Sequence, residues 1–187
     1  MTVQLTEVDL ASIAEVTGFW RDAGFEAWFR KDDGFDSDFR ARHSDRHWRA
    51  ARRELDHWNC SGEGALALMI LLDQFPRNCF RGTAHMFATD PLARHHAKLA
   101  VANGYDQGVT PDLRSFFYLP FEHSEEMADQ DRSVELFTPL GGEASKYAVI
   151  HRDIIEKFGR FPHRNRALGR DTTPAEQSFL DEGGFAG

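Results

Sequence analysis

An all-α fold is what this chain of 187 residues predicts, on three observations. Proline and glycine punctuate it at helix-like intervals. Apolar residues recur at three- and four-residue spacing, and no run of alternating apolar and polar β-branched residues is long enough for a strand. Thr6 reads as the N-cap of a first helix in which Leu10, Ile13, Val16 or Thr17, and Trp20 share a face, ending near Gly24. Asp36 is expected to cap a second helical stretch towards Trp58, broken near Ser44, with Trp48, Ala51, Leu55 and Trp58 on its inner face. Ser61 opens a helix that is apolar all round from Ala65 to Leu72, the mark of a buried central helix, and Pro76 is expected to stop it.

Asp90 and Pro91 form an N-cap and first-turn pair for a helix to Asn103, with Gly104 as its left-handed cap. Thr110 and Pro111 repeat the device for a short helix through Tyr118, which Pro120 interrupts before a helix from Glu122 to Phe137. A further helix from about Glu143 to Phe158 places Tyr147, Ile150, His151, Ile154, Ile155 and Phe158 on one stripe. Thr173, Pro174 and Glu176 make a capping box for a last short helix to Glu182. Helices of this length joined by short turns predict antiparallel hairpins stacked in layers, as one domain over residues 1–187 whose tail, 183–187, is expected to fray.

Composition narrows the function. Lys and Arg number 22 and Asp and Glu 30, so the formal charge of −8 is the reverse of what counterion release from nucleic acid requires. The longest apolar run, Ala65 to Leu72, is far shorter than the ~20 residues of a membrane span. The opening segment does not read as a signal peptide, and Cys60 and Cys79 lack any Cys-x-x-Cys spacing, so a reduced, cytoplasmic setting is expected. There is no Gly-x-Ser-x-Gly, phosphate-cradling loop, dinucleotide fingerprint or zinc-finger spacing, and no cofactor is expected.

Three polar features stand out. Asp73 continues the face of the most apolar helix, which predicts a buried carboxylate met by a cation such as Arg77 or Arg81. In Phe121-Glu122-His123-Ser124-Glu125-Glu126, the spacing of His123, Met127, Val134 and Phe137 turns His123 inward if the segment is helical. His123 and Glu126 at i, i+3 could share a proton or a metal ion, but the second histidine of a metalloprotease helix is missing, so no metal site is expected. The segment from His151 to Arg170 carries six basic residues against two acids, a donor-rich stretch suited to a carboxylate or phosphate. Glu122 to Glu143 carries seven acids and one Arg, so mutual neutralisation of the two stretches is the competing reading.

Longer words in the chain, among them Trp28-Phe29-Arg30-Lys31-Asp32, Leu71-Leu72-Asp73-Gln74-Phe75-Pro76-Arg77-Asn78, Leu119-Pro120-Phe121-Glu122-His123-Ser124-Glu125 and Phe158-Gly159-Arg160-Phe161-Pro162-His163-Arg164-Asn165, closely resemble the bacterial domain-of-unknown-function family 924. Arg21 and Asp22 depart from it, where relatives continue Phe-Trp with an aromatic and a glycine. The resemblance implies a stacked helical-hairpin fold like that of tetratricopeptide repeats, and brings no established activity. The three features coincide with its words, so Asp73, Arg77, Asn78, Glu122, His123, His151, Arg160, His163, Arg164 and Asn165 are expected to gather in one cleft. That cleft would bind a small anionic molecule or a peptide carboxyl end. Two other readings are a hydrolase or lyase with His123 or His151 as base beside Glu122 or Glu126, with or without a divalent metal, and a protein-interaction scaffold. The oligomeric state is not readable from the residues.

Overall fold

The computed structural model describes residues 4–185, and among them every regular element is a helix or a helical turn. The chain, read as one domain, divides into two compact units: Met1–Arg81 with His85–Pro120, and Gly82–Ala84 with Phe121–Gly187.

The first unit opens on α1, Glu7–Ala23, at the expected cap: Thr6 Oγ1 accepts from the Asp9 N–H at 3.1 Å, and the Asp9 carboxylate accepts from the Thr6 N–H at 3.0 Å. After the short α2, Phe25–Trp28, comes α3, Asp33–Ala51. Its cap is Asp32, whose Oδ1 accepts from the N–H groups of Gly34 and Phe35, each at 3.0 Å. Asp36, the expected cap, lies a turn inside the helix, where its buried carboxylate accepts from Asn78 Nδ2 at 2.7 Å and Arg81 Nε at 2.9 Å. Nor does Ser44 break the helix, because its hydroxyl donates back to the Arg40 carbonyl at 2.6 Å. The helix ends instead at Ala51, followed by Arg53 with φ +66° and a 3-10 turn, Asp56–Cys60. Trp48, Ala51, Leu55 and Trp58 therefore do not form one inner face: Leu55 and Trp58 are buried and Trp48 is 41% exposed.

Ser61 caps α4, Gly62–Met69, through the Gly64 N–H. A side chain at Gly64 would place its Cβ 2.0 Å from the Trp58 carbonyl oxygen, so only glycine permits this entry into the core. Ala65 to Leu72 are wholly buried, as a helix apolar all round requires. Trp20 of α1 lies within an aromatic group with Trp28, Phe35, Phe39 and Phe116, ring centroids 5.3 to 6.1 Å away.

Pro76 does not stop the central helix. A π-helical turn, Ile70–Gln74, leads into α5, Phe75–Cys79, and the Phe75 N–H reaches the Ile70 carbonyl five residues back. That register leaves the Leu71 carbonyl without its usual donor, and Pro76 has no N–H to offer Leu72. Side chains fill both places: His47 Nδ1 donates to Leu71 O at 2.8 Å and Thr89 Oγ1 to Leu72 O at 2.5 Å. Thr89→Val is accordingly expected to lose about 1–3 kcal/mol in urea unfolding, with Thr89→Ser recovering most of it. Equal stability of all three proteins would mean that the carbonyl does not need the hydroxyl.

In α6, Asp90–Ala102, Asp90 is the first helical residue, and its carboxylate turns to Arg77 in place of capping. Gly104 follows at φ +72°, as its position predicts. Pro120 likewise fails to end α7, Pro111–Glu122, being close enough to the C-terminus for the apolar burial of Phe116, Phe117 and Phe121 to outweigh one lost hydrogen bond.

In the second unit, α8, Met127–Phe137, and α9, Gly142–Phe158, pack as a helical hairpin. Residues 123–126 form a turn, not the start of the expected continuous helix, with Ser124 Oγ accepting from the Glu126 N–H and donating to Asp129. Ala148, His151, Ile154 and Ile155 make the buried face of α9, whereas Tyr147 and Ile150, expected on that stripe, are 45% and 41% exposed. The short α10, Asn165–Leu168, precedes α11, Pro174–Asp181, which starts at the expected Thr173 and Glu176 capping box. Ile154, Ile155 and Phe161 form an apolar core joined by Met127, Phe158, Phe179 and Phe185. Phe185 belongs to the tail for which fraying is expected; residues 186 and 187 lie outside the described residues.

Candidate functional site in the second unit

The buried face of α9 delivers His151 beside the end of α7. A carbonyl only accepts, so the 2.8 Å contact between His151 Nδ1 and Tyr147 O places the ring proton on Nδ1 and leaves Nε2 as the lone-pair atom. Glu122 Oε1 lies 3.4 Å from the same Nδ1, and both residues are buried. Burial drives the His151 imidazole well below its ordinary protonation range, to about 3, and the neighbouring His123, Arg164 and His163 push in the same direction against the Tyr147 carbonyl. At neutral pH the ring is therefore an uncharged hydrogen-bonding group.

Its surroundings are aromatic. The ring centroid is 5.4 Å from Phe161, 4.4 Å from Phe185 and 6.5 Å from His123. On Phe161 rests the Arg164 guanidinium, its central carbon 4.5 Å from the ring centroid, a cation-π contact by a side chain that is only 6% exposed. His163 completes the group, 5.6 Å from Phe161 and 5.4 Å from Phe185. His151 and His163 thus meet at Phe161 and Phe185, with Arg164 on Phe161 and with Glu122 and His123 beside His151; residue chemistry alone did not single out the two phenylalanines. Phe161 lay inside the basic segment, where its ring carried no signal beside the charges, and Phe185 lay in the tail.

Arg152, Arg160 and Arg170 pair with carboxylates of the same unit. Glu125 accepts from both terminal nitrogens of Arg170, at 2.7 and 3.0 Å, and from the Phe161 N–H at 2.8 Å. Burial raises the Glu125 pKa, but these donors outweigh it and hold the carboxyl below its ordinary range. Arg152 reaches Asp131 at 2.8 Å. Neutralisation between the acidic and basic stretches is therefore real, and it builds the frame on which Phe161 and Arg164 sit. Arg160 donates twice to Glu176, at 2.5 and 2.8 Å, which with the Thr173 cap holds that carboxyl far below its ordinary range. Asn165 donates to Thr172 at 3.4 Å, and its Oδ1 has no hydrogen-bond partner among the described residues.

Residues 16–184 match the family model described as a bacterial protein of unknown function, DUF924. The chain belongs to the DUF924 family. It is similar over 93% of its length to a structure of a protein of unknown function from Agrobacterium tumefaciens, 57% identical, with a TM-score of 0.91 and 99% of that chain covered. No curated protein matches it.

The other residues expected in the DUF924 site, Asp73, Arg77 and Asn78, belong to the first unit. Arg77 bridges two carboxylates, meeting Asp73 Oδ1 at 3.1 Å and both Asp90 oxygens at 2.8 and 3.0 Å, while also donating to Asp73 O at 2.8 Å. Gln74 donates to the second Asp73 oxygen at 2.6 Å, and Asn78 is turned to Asp36. Asp73 is buried and met by Arg77, as its place on the apolar helix predicts. Among the described residues no three His, Cys, Asp or Glu side chains come together as a metal-ligand set, and no helix is long and apolar enough to cross a membrane.

Proposed function

We propose that the cluster around His151 binds a small anionic ligand that carries a hydrogen-bond donor next to its charge. A peptide carboxyl end and a hydrogen phosphate both have this chemistry. The carrying observation is the fixed tautomer of His151: with Nδ1–H committed to Tyr147, Nε2 accepts a hydrogen bond, and a bare anion offers none. Arg164, standing on the Phe161 face beside it, supplies charge and a planar donor pair. A peptide end satisfies both groups at once, its carboxylate at Arg164 and its last amide N–H at Nε2. The tetratricopeptide-repeat-like reading of the helical hairpins and a cytoplasmic setting agree with such a role, with Asn165 and His163 contributing further polar contacts. The acid-base alternative has the Glu122 contact in its favour, but an imidazole that protonates only near 3 is a weak base for chemistry at neutral pH.

Calorimetric titration separates these readings. N-acetyl-dialanine and inorganic phosphate are expected to bind, N-acetyl-dialanine amide to fail for want of charge, and Arg164→Lys to weaken capture about tenfold. The lysine variant is the informative one, because Arg164 is buried and its truncation to alanine is expected to cost packing as well as charge. Equal affinity for the peptide acid and its amide would refute the reading.

A further inference from the structure

His151 and Arg164 are both buried, so a ligand reaches them only where part of their cover moves aside. Most of that cover is fixed. Phe161 is wholly buried, its N–H held by Glu125 at 2.8 Å and its carbonyl by Arg170 at 3.1 Å, and His151 itself stands on the packed α8 and α9 hairpin. Phe185 is different. Its ring centroid lies 4.4 Å from that of His151, nearer than those of Phe161 and His123, yet among the described residues its backbone makes no hydrogen bond.

Two glycines with separate duties aim that ring. After Glu182 caps α11, Gly183 turns the chain at φ +84°, a left-handed conformation that residues with side chains resist. Gly184 then donates its N–H to the Phe179 carbonyl at 2.9 Å, and a Cβ there would fall 2.5 Å from both that oxygen and the Phe179 ring. The backbone is pinned as far as this bond. Beyond it Phe185 is held by packing, against Tyr147, His151 and His163 at 6.4, 4.4 and 5.4 Å and against the core of Ile154, Ile155 and Phe161. Such contacts release by rotation of the chain after Gly184, without unfolding any helix.

We infer that Phe185 is a displaceable cover of the His151 site, and that an incoming peptide end puts an aromatic side chain of its own where that ring lies. The inference rests on the peptide-binding reading of the same site. In that reading the amide N–H at His151 and the carboxylate at Arg164 belong to one residue, the last of the peptide, so its side chain arrives beside the His151 ring, the place Phe185 fills. One ring leaves and another takes over its contacts, while the carboxylate at Arg164 is the new contribution. The partner is therefore a chain ending in an aromatic residue; a free phosphate brings no ring and has to work against the cover.

Calorimetry of N-acetyl-dialanine and N-acetyl-alanyl-phenylalanine on the wild type, Phe185→Ala and Gly184→Ala tests this, with melting temperatures to show that each protein is folded. The glycine variant keeps the ring and dislodges it through the Cβ contact with Phe179. On either variant the phenylalanine peptide is expected to bind about tenfold more tightly than on the wild type, and about tenfold more tightly than the alanine peptide. In the wild type, which needs no substitution, saturating phenylalanine peptide should abolish the nuclear Overhauser contacts between the Phe185 and His151 rings. Contacts that persist at saturation, or affinities unchanged by both substitutions, would overturn the cover and leave the site standing as long as N-acetyl-dialanine binds and its amide does not. Equal affinity of Phe185→Ala for the two acids would overturn the aromatic preference. Failure of both acids to bind any of the three proteins would refute the site itself and the cover with it.

Discussion

Trp20→Ala is expected to lose about 3–5 kcal/mol of folding stability, the cost of removing a large fully buried ring and leaving a cavity. Since a domain of this kind holds about 5–15 kcal/mol in total, the variant should be largely unfolded at modest urea concentrations. The ring packs against Trp28 of α2, Phe35 and Phe39 of α3 and Phe116 of α7, so none can move in without giving up another contact. Trp48→Ala is the matched control. Its ring is 41% exposed and rests against His85 and Phe80, so its loss should cost about 1 kcal/mol. Urea midpoints of the two variants check the contrast, and similar losses would place the core on the wrong side of α3.

The second large effect is acid sensitivity carried by His151. Its folded pKa of about 3 lies below the ordinary 6.5, so between those values the unfolded chain binds a proton that the folded chain refuses. Stability therefore falls as pH drops below 6.5, by about 2 kcal/mol at pH 5. His43, depressed to about 4 by burial, adds to the loss with the same sign. Glu125 and Glu176 are depressed carboxylates, whose contributions disappear only below their ordinary value of 4.5, so pH 5 isolates the histidines. Urea unfolding at pH 7 and pH 5 should show His151→Gln losing markedly less than the wild type between the two. Identical losses would mean that His151 is hydrated and titrates normally.

Local signals in this chain were readable because they depend on neighbours in sequence. Thr6, Ser61 and Thr173 cap where their hydroxyls and the following residues predict, and Gly104 and Gly159 follow helix ends with positive φ. Asp73 was legible for a similar reason, lying on the face of the most apolar helix. Features set by distant partners were not. Pro76 reads as a stop until Thr89 and His47 supply donors to the carbonyls it and the π turn leave open, and Asp36 reads as a cap until Asn78 and Arg81 claim it. The same holds for the site. Glu122, His123, His151, His163 and Arg164 were nominated by residue type, and the structure places them near one another in the second unit, yet type alone could not show that Arg160 lies instead with Glu176 at the start of α11.

The state of the His151 ring nitrogens tests the account most directly. In ¹⁵N-labelled protein at pH 7, Nδ1 should carry the proton and Nε2 should resonate as a bare imidazole nitrogen, shifting towards the hydrogen-bonded range as N-acetyl-dialanine is added. A ring protonated on Nε2 or on both nitrogens, or an Nε2 signal unmoved by saturating peptide, would contradict it.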